Sequence, residues 1–299
     1  MGGMSGSPPS ESGTGRSVLA IVVAVLVGAA AAVAGSAGGL RVGGWPVFAL
    51  CVAVAYLVNW VAFVPAWLQR TERFFDLTGA LTYLSVVVIA LVAGSRSSVA
   101  VVLGVLVAVW ALRLGTFLVR RIRREGTDRR FDRIKADPAR FLVTWTLQAL
   151  WVVLTAGAAL AAMTSATEVR FGLLGVVGVV VWLVGFGIEV AADDQKRAFR
   201  ADPANRGRFI TTGLWAWSRH PNYFGEITLW VGVALVAAPA LSGWQYVTLV
   251  SPLFVVLLLT RVSGIPLLEV RGRATWGDDP EYRDYVARTP VLVPRPPRR

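Results

Sequence analysis

The sequence predicts an all-α, polytopic bundle of about eight transmembrane helices, seven to ten being compatible with it. Three observations carry that prediction. Of the 299 residues, 55% are hydrophobic and only 16% are charged, whereas an average soluble domain carries roughly 25% charged residues. A soluble fold of this size could not cover so much apolar surface. Apolar runs close to the roughly 20 residues needed to cross a bilayer recur along the chain. The basic residues collect between alternate runs, which is the pattern that sets membrane orientation.

Residues 1–15 are rich in Gly, Ser and Pro and read as a disordered tail. The apolar run from Val18 has the look of a signal peptide. Its length and the many later runs make it a retained first helix. The predicted spans are 17–38, 45–67, 77–94, 98–119, 143–162, 170–192, 223–239 and 245–262. The seventh is short, and the first, rich in Ala and Gly, has the least reason to pack in one fixed position. Residues 16–142 are expected to form an N-terminal set of membrane helices, the substrate half. Residues 143–299 are expected to form a C-terminal domain with cytoplasmic loops.

Eight spans place both termini on one side. With that side cytoplasmic, the cytoplasmic segments (the N-terminus, 68–76, 120–142, 193–222 and 261–299) hold 26 of the 30 Lys and Arg. The other side receives Arg41, Arg96 and Arg170. Arg113 falls within a span, where it either snorkels to the surface or contacts a ligand. Both termini are therefore expected to be cytoplasmic. The net charge of +12 is read as membrane orientation, and no nucleic-acid partner is expected.

Cys51 is the one cysteine and His220 the one histidine. This excludes an intramolecular disulfide, a cysteine-based zinc site and a His-rich metal site, and no metal is expected. Gly172, Gly175 and Gly178 resemble a dinucleotide fingerprint. They lie in a membrane helix with no strand before it, so close helix packing is the better reading.

Two polar loops stand out. The 120–142 loop mixes many bases with Glu125, Asp128 and Asp132. It reads either as an orientation determinant drawn to anionic lipid or as a phosphate contact. In the 193–222 loop, Glu189, Asp193, Lys196 and Arg200 follow at spacings of 4, 3 and 4. They share one face if the sixth helix continues beyond the membrane surface. That face is either a salt-bridge ladder or a phosphate-binding surface. Asp202-Pro203-Ala204-Asn205-Arg206-Gly207-Arg208 is a turn carrying two arginines, whose planar forks suit phosphate. Arg219-His220-Pro221-Asn222-Tyr223 opens the seventh span, with proline suited to its first turn and Ser218 or His220 as a cap. Free N–H groups at such an end favour an anion. Asn222 and Glu226, four apart, share a face.

Asp193-Asp194-Gln195-Lys196-Arg197-Ala198-Phe199-Arg200, followed by Gly213-Leu214-Trp215-Ala216-Trp217-Ser218-Arg219-His220-Pro221-Asn222-Tyr223-Phe224-Gly225-Glu226, resembles the C-terminal domain of the steroid 5-alpha-reductase superfamily. Delta-14 and delta-7 sterol reductases carry a similar Gln-Lys-x-x-Phe-Arg and Ser-Arg-His-x-Asn-Tyr. The resemblance is strongest to the bacterial branch of steroid 5-alpha-reductase-like membrane proteins, and it runs from about Phe74-Phe75-Asp76-Leu77-Thr78-Gly79 to Thr289-Pro290-Val291-Leu292-Val293-Pro294. It implies an NADPH-dependent reductase of an activated, enone-type carbon–carbon double bond in a steroid-like or other lipid. The expected location is a bacterial inner (plasma) membrane.

Within that resemblance, Lys196 and Arg200 match positions that hold the adenosine phosphates. Arg219, His220, Asn222 and Tyr223 match the diphosphate and ribose region, and Glu226 the acidic position after the glycine. Glu269 and Tyr285 match positions that close over the cofactor. Asn205, Arg206 and Arg208 join this cofactor set from the intervening turn. Asp194 departs from the pattern and puts the local contacts of that position in doubt.

The substrate half matches less well, since no early Gln-Glu pair is present. Tyr83 is the counterpart of the carbonyl-polarising tyrosine or else a core aromatic. Glu72 and Asp76 are catalytic candidates or else interfacial charges and a helix cap. Gln148, between Trp145 and Trp151, is a further polar group within the membrane. Two other readings stay open. Isoprenylcysteine and phospholipid methyltransferases share Arg-His-Pro-x-Tyr-x-Gly-Glu and use S-adenosylmethionine, which carries no phosphate for Lys196, Arg200, Arg206 and Arg208 to hold. A non-catalytic scaffold or transporter would sooner place its polar groups along the midplane. The lipid and the oligomeric state are left open.

Overall fold

A computed structural model describes residues 11–125, 131 and 134–297. Asp128 and Asp132 of the basic loop, like residues 1–10 of the expected tail, lie outside the described residues. Ten α-helices are described: α1 (Glu11–Gly35), α2 (Val47–Leu68), α3 (Phe75–Ala93), α4 (Ser98–Glu125), α5 (Pro138–Met163), α6 (Leu173–Ala201), α7 (Pro221–Ala237), α8 (Ser251–Leu257), α9 (Ile265–Trp276) and α10 (Pro280–Arg288). A two-residue hairpin, β1 (Arg41–Val42) with β2 (Trp45–Pro46), is the one sheet among the described residues. Eight helical segments are long and apolar enough to cross a membrane. The protein is a polytopic, all-α membrane protein.

Most spans begin and end within a few residues of the predicted limits. Three differ more. The fifth starts at Pro138, because Asp137 caps it by accepting from the backbone N–H groups of Ala139 and Arg140. The sixth runs on to Ala201, nine residues past its expected end. The eighth, Gly243–Trp276, is a chain of short pieces. A 3₁₀ stretch (Gly243–Val250) leads into α8, then a π turn (Leu258–Val262), then α9. Pro252 and Pro266 each sit in a first helical turn, and the Ser263 N–H bonds the Leu258 carbonyl, five residues back. Proline has no N–H to continue a preceding helix, so each one starts a new segment.

The chain forms two compact units. The first takes the described residues up to Arg170 together with Ala240–Thr248. Its centre is α5, which packs against α1, α2, α3 and α4. The last two turns of α5, residues 156–163, are Ala or Gly at six of eight positions, and the helix is fully buried from Ala158 to Met163. Small side chains let helices approach closely where apolar burial gives no drive over lipid. Some polar groups inside this unit pair with one another. Asn59 donates to Thr82 Oγ1 at 3.1 Å. Gln245 accepts from the Ser242 N–H and the Ser165 hydroxyl and donates to the Gly35 carbonyl, which ties residues 240–248 to the ends of α1 and α5. Most of α1 is exposed, yet it is pinned where the Tyr56 hydroxyl donates to the Ala24 carbonyl at 2.6 Å.

The second unit takes Phe171–Pro239 and Leu249–Arg299. Its spine is the contact of α6 with α7. Gly178 and Gly185 on α6 face Gly232 and Gly225 on α7. A Cβ on Gly225 would lie 2.6 Å from the Gly185 carbonyl and the Glu189 N–H nitrogen. Of the three glycines read as packing residues, Gly178 serves this contact. Gly175 lies under the Phe171 ring, and Gly172 precedes α6 at its N-cap.

Candidate functional site

The start of α7 holds the densest group of buried polar side chains in the second unit. Pro221 occupies the first turn of α7 and His220 the N-cap position, where no side chain caps the helix. A helix start of this kind, with its dipole and N–H groups, favours an anion. Glu269 on α9 bridges the two residues before Pro221. Its Oε2 accepts from Arg219 Nη1 at 2.9 Å, and its Oε1 lies 3.0 Å from His220 Nε2. Arg219 and Glu269 side chains are only 11% and 16% exposed, so the pair is held largely out of water.

The carboxylate at Nε2 selects the tautomer with the proton on that nitrogen. His220 Nδ1 is then an acceptor, and it is buried without a partner among the described residues, as is Arg219 Nε. Burial pushes the imidazole below the usual histidine range, while the hydrogen bond to Glu269 pulls the other way. His220 is therefore neutral at neutral pH. Tyr223 stacks on its ring, with centroids 5.7 Å apart. Asn222 and Glu226 are half-buried on the first turns of α7.

The α7 entrance is clasped by the C-terminal segment. The Arg219 N–H donates to the Pro290 carbonyl, the Arg295 N–H donates to the Trp217 carbonyl, and the buried Ser218 hydroxyl donates to the Leu292 carbonyl. Tyr285 on α10 donates its hydroxyl to the Trp215 carbonyl at 2.8 Å, and burial pushes its phenol up. The Trp215 indole N–H in turn bonds the Ala192 carbonyl of α6.

Because α6 continues to Ala201, the spacing of Glu189, Asp193, Lys196 and Arg200 does put them on one helical face. Lys196 is not extended into solvent. Its ammonium lies 4.3 Å from the centroid of the Trp215 ring, a cation–π contact. Arg200, Arg206 and Arg208 are exposed. Asn205 spends its amide on the Phe199 carbonyl, 3.0 Å away, and so holds the turn. Gly207, with φ of +79°, presents its carbonyl to the Trp276 indole N–H. Glu189 is buried at the α6–α7 contact. Asp194, the departure from the pattern, pairs with Arg197 on an exposed surface.

The candidates of the substrate half all lie in the first unit. Glu72 is buried and paired with Lys135 at 3.0 Å. Asp76 is in the first turn of α3, where a carboxylate suits the helix dipole. Tyr83 is buried edge-on against Trp110, with centroids 5.1 Å apart. Gln148 donates to the Phe75 carbonyl at 3.0 Å. Among the described residues no group of three or more potential metal ligands occurs.

Comparison with known proteins adds a family. A family model described as "Protein of unknown function (DUF1295)" matches residues 62–289. The chain belongs to the DUF1295 family. The segment that matches DUF1295 contains every candidate residue from Glu72 to Tyr285. One curated relative is a Delta(14)-sterol reductase of Ascobolus immersus, 40% identical over 19% of this chain and 17% of its own length. Another is an uncharacterized protein of Schizosaccharomyces pombe, 29% identical over 32% of this DUF1295 chain and 34% of its own length. The chain thus spans about a sixth and about a third of these relatives. No solved structure matches significantly.

In the sequence Ser218 stood only as a candidate cap of the seventh span, and Trp215 and residues 290–295 carried no assigned role in this site. Trp215 and Ser218 stood inside the quoted motif, but their partners, Lys196 and Leu292, are 19 and 74 residues away. Proximity across such separations comes from folding and leaves no periodic signal.

Proposed function

We propose that this protein is an NADPH-dependent membrane reductase of an activated, enone-type carbon–carbon double bond in a steroid-like or other lipid. The observation that carries the reading is the pair of buried, unpartnered atoms at the uncapped start of α7, Arg219 Nε and His220 Nδ1. One is a donor suited to a phosphate oxygen and the other an acceptor suited to a ribose hydroxyl. This donor set fits a nucleotide cofactor. Arg219, His220, Asn222 and Tyr223 would hold its diphosphate and ribose. Lys196, Arg200, Arg206 and Arg208 would hold its adenosine phosphates. Glu269 keeps Arg219 and His220 oriented, and Tyr285 keeps the Trp215 platform in place. Glu226 is the acidic neighbour one turn into α7.

NADPH supplies a hydride when bound. On the substrate side, Tyr83 would polarise the carbonyl and supply a proton, with Asp76 as the acidic alternative. Glu72 suits that role less, because Lys135 already engages its carboxylate. The similarity to a Delta(14)-sterol reductase supports reduction of a lipid double bond.

The test is a thermal titration of the purified, lipid-supplied protein with NADPH, NADH and S-adenosylmethionine. NADPH at about a hundred times its Kd should stabilise the fold by about 2.7 kcal/mol. Lys196→Glu with Arg200→Glu should abolish that shift. A response to S-adenosylmethionine and none to NADPH would instead select the methyltransferase reading. Silence towards both, in the presence of lipid, would leave the non-catalytic one.

A further inference from the structure

A second charged site lies in the first unit, at the turn between α2 and α3. Residues 69–74 connect two membrane spans, so the turn sits where a bilayer meets water. A cleft of about 380 Å3 opens there, lined by Arg70, Glu72, Arg73 and Lys135 among others. Glu72 is its one carboxylate and is already engaged by Lys135 at 3.0 Å. Among the described residues neither Arg70 nor Arg73 has an acidic partner. Two positive charges are left unmatched on one wall of a cleft.

The backbone at Arg70 adds a second, independent observation. The Thr71 N–H bonds the Ala66 carbonyl and the Arg70 N–H bonds the Trp67 carbonyl. These two bonds make a Schellman ending of α2, with Arg70 at the position that turns left-handed. Its φ is +50°, and it is the one non-glycine residue of positive φ among those described. Glycine takes that position in most helices because a Cβ is unfavourable there. The exposed Arg70 guanidinium lies 5.8 Å from the centroid of the Trp67 ring.

We propose that this cleft binds the phosphate of an anionic phospholipid headgroup, held by Arg70, Arg73 and Lys135. A phosphate could come from a lipid or from solution, and the surroundings favour the lipid. Val64, Leu68 and Phe74, which flank the turn, are 51%, 74% and 46% exposed. They offer apolar surface to acyl chains directly beside the bases. Arginine forks match phosphate oxygens in pairs, and basic residues at this depth attract anionic lipid.

The test uses full-length protein reconstituted with phosphatidylglycerol or with phosphatidylcholine, followed by native mass spectrometry of retained lipid. The wild-type protein should retain phosphatidylglycerol in preference to phosphatidylcholine. In the double variant Arg70→Gly, Arg73→Gln, retention should fall roughly thirtyfold, about fivefold per base removed. Its melting midpoint in phosphatidylcholine, where no anionic lipid is bound, should hold or rise, because glycine relieves the left-handed residue. Retention equal to wild type would overturn the proposal. A loss of lipid together with a lower midpoint in phosphatidylcholine would mark the bases as structural, and would also overturn it. So would displacement of the lipid by inorganic phosphate as readily as by a glycerophospholipid, which would assign the cleft to a soluble anion.

Discussion

His220 and Glu269 show how single side chains set the properties of the α7 entrance. The unfolded imidazole takes up its proton near the ordinary histidine value, about 6.5, whereas burial holds the folded one below it. As pH falls past that value the unfolded chain binds more protons than the folded one, so stability drops. The contribution is intact above about pH 6.5 and is lost on acidification. Thermal melts between neutral and mildly acidic pH should show this loss, and His220→Asn should flatten it. Glu269→Gln should lower stability by about 2 kcal/mol at neutral pH, the scale of a charge-assisted hydrogen bond. Arg219 would then be buried without its counter-charge, and denaturant midpoints would register the change. The identities of both residues were legible in the sequence through their motif. That one carboxylate engages both Arg219 and His220 was not, because 49 residues separate Glu269 from His220 along the chain.

At the scale of elements, the α6–α7 pair rests on glycine contacts too close for any side chain. A Cβ on Gly225 would approach the backbone of α6 to 2.6 Å, and one on Gly185 would come within 2.5 Å of the Leu229 nitrogen. Gly225→Ala is therefore expected to cost about 1–3 kcal/mol through overpacking. Gly187, on α6, has nothing within 4 Å of where a Cβ would stand. Gly187→Ala should be neutral or stabilising by up to about 1 kcal/mol, since alanine favours the helix. Melting midpoints of the two variants side by side test the contact. The spans themselves followed from apolar length, since a bilayer demands it. The eighth was harder to read, because composition reports hydrophobicity but not where a helix changes winding. Pro252, Gly264 and Pro266 stand at breaks that the single predicted span 245–262 did not anticipate, and the π turn between them has no signal of its own.

For the whole molecule, the distribution of bases makes a further prediction about orientation. Cys51 is fully buried and should stay silent to thiol reagents. Single cysteines at Thr167 and Ala204, both exposed, can then report on either side. In intact cells a membrane-impermeant maleimide should label Thr167→Cys and spare Ala204→Cys; the reverse pattern would place the termini outside. Hydropathy and charge bias alone determined that this chain crosses a membrane about eight times, because exposing a backbone to hydrocarbon forces continuous apolar helices. The motif around Arg219 was likewise visible as residues. Tertiary structure alone decided which of those residues meet. It brought Glu269 to Arg219 and His220, set Lys196 on Trp215 and clasped Ser218 with the C-terminal segment. It also engaged Glu72 with Lys135, 63 residues away. Such pairings depend on how separate helices pack against one another, and that information is not periodic along the chain.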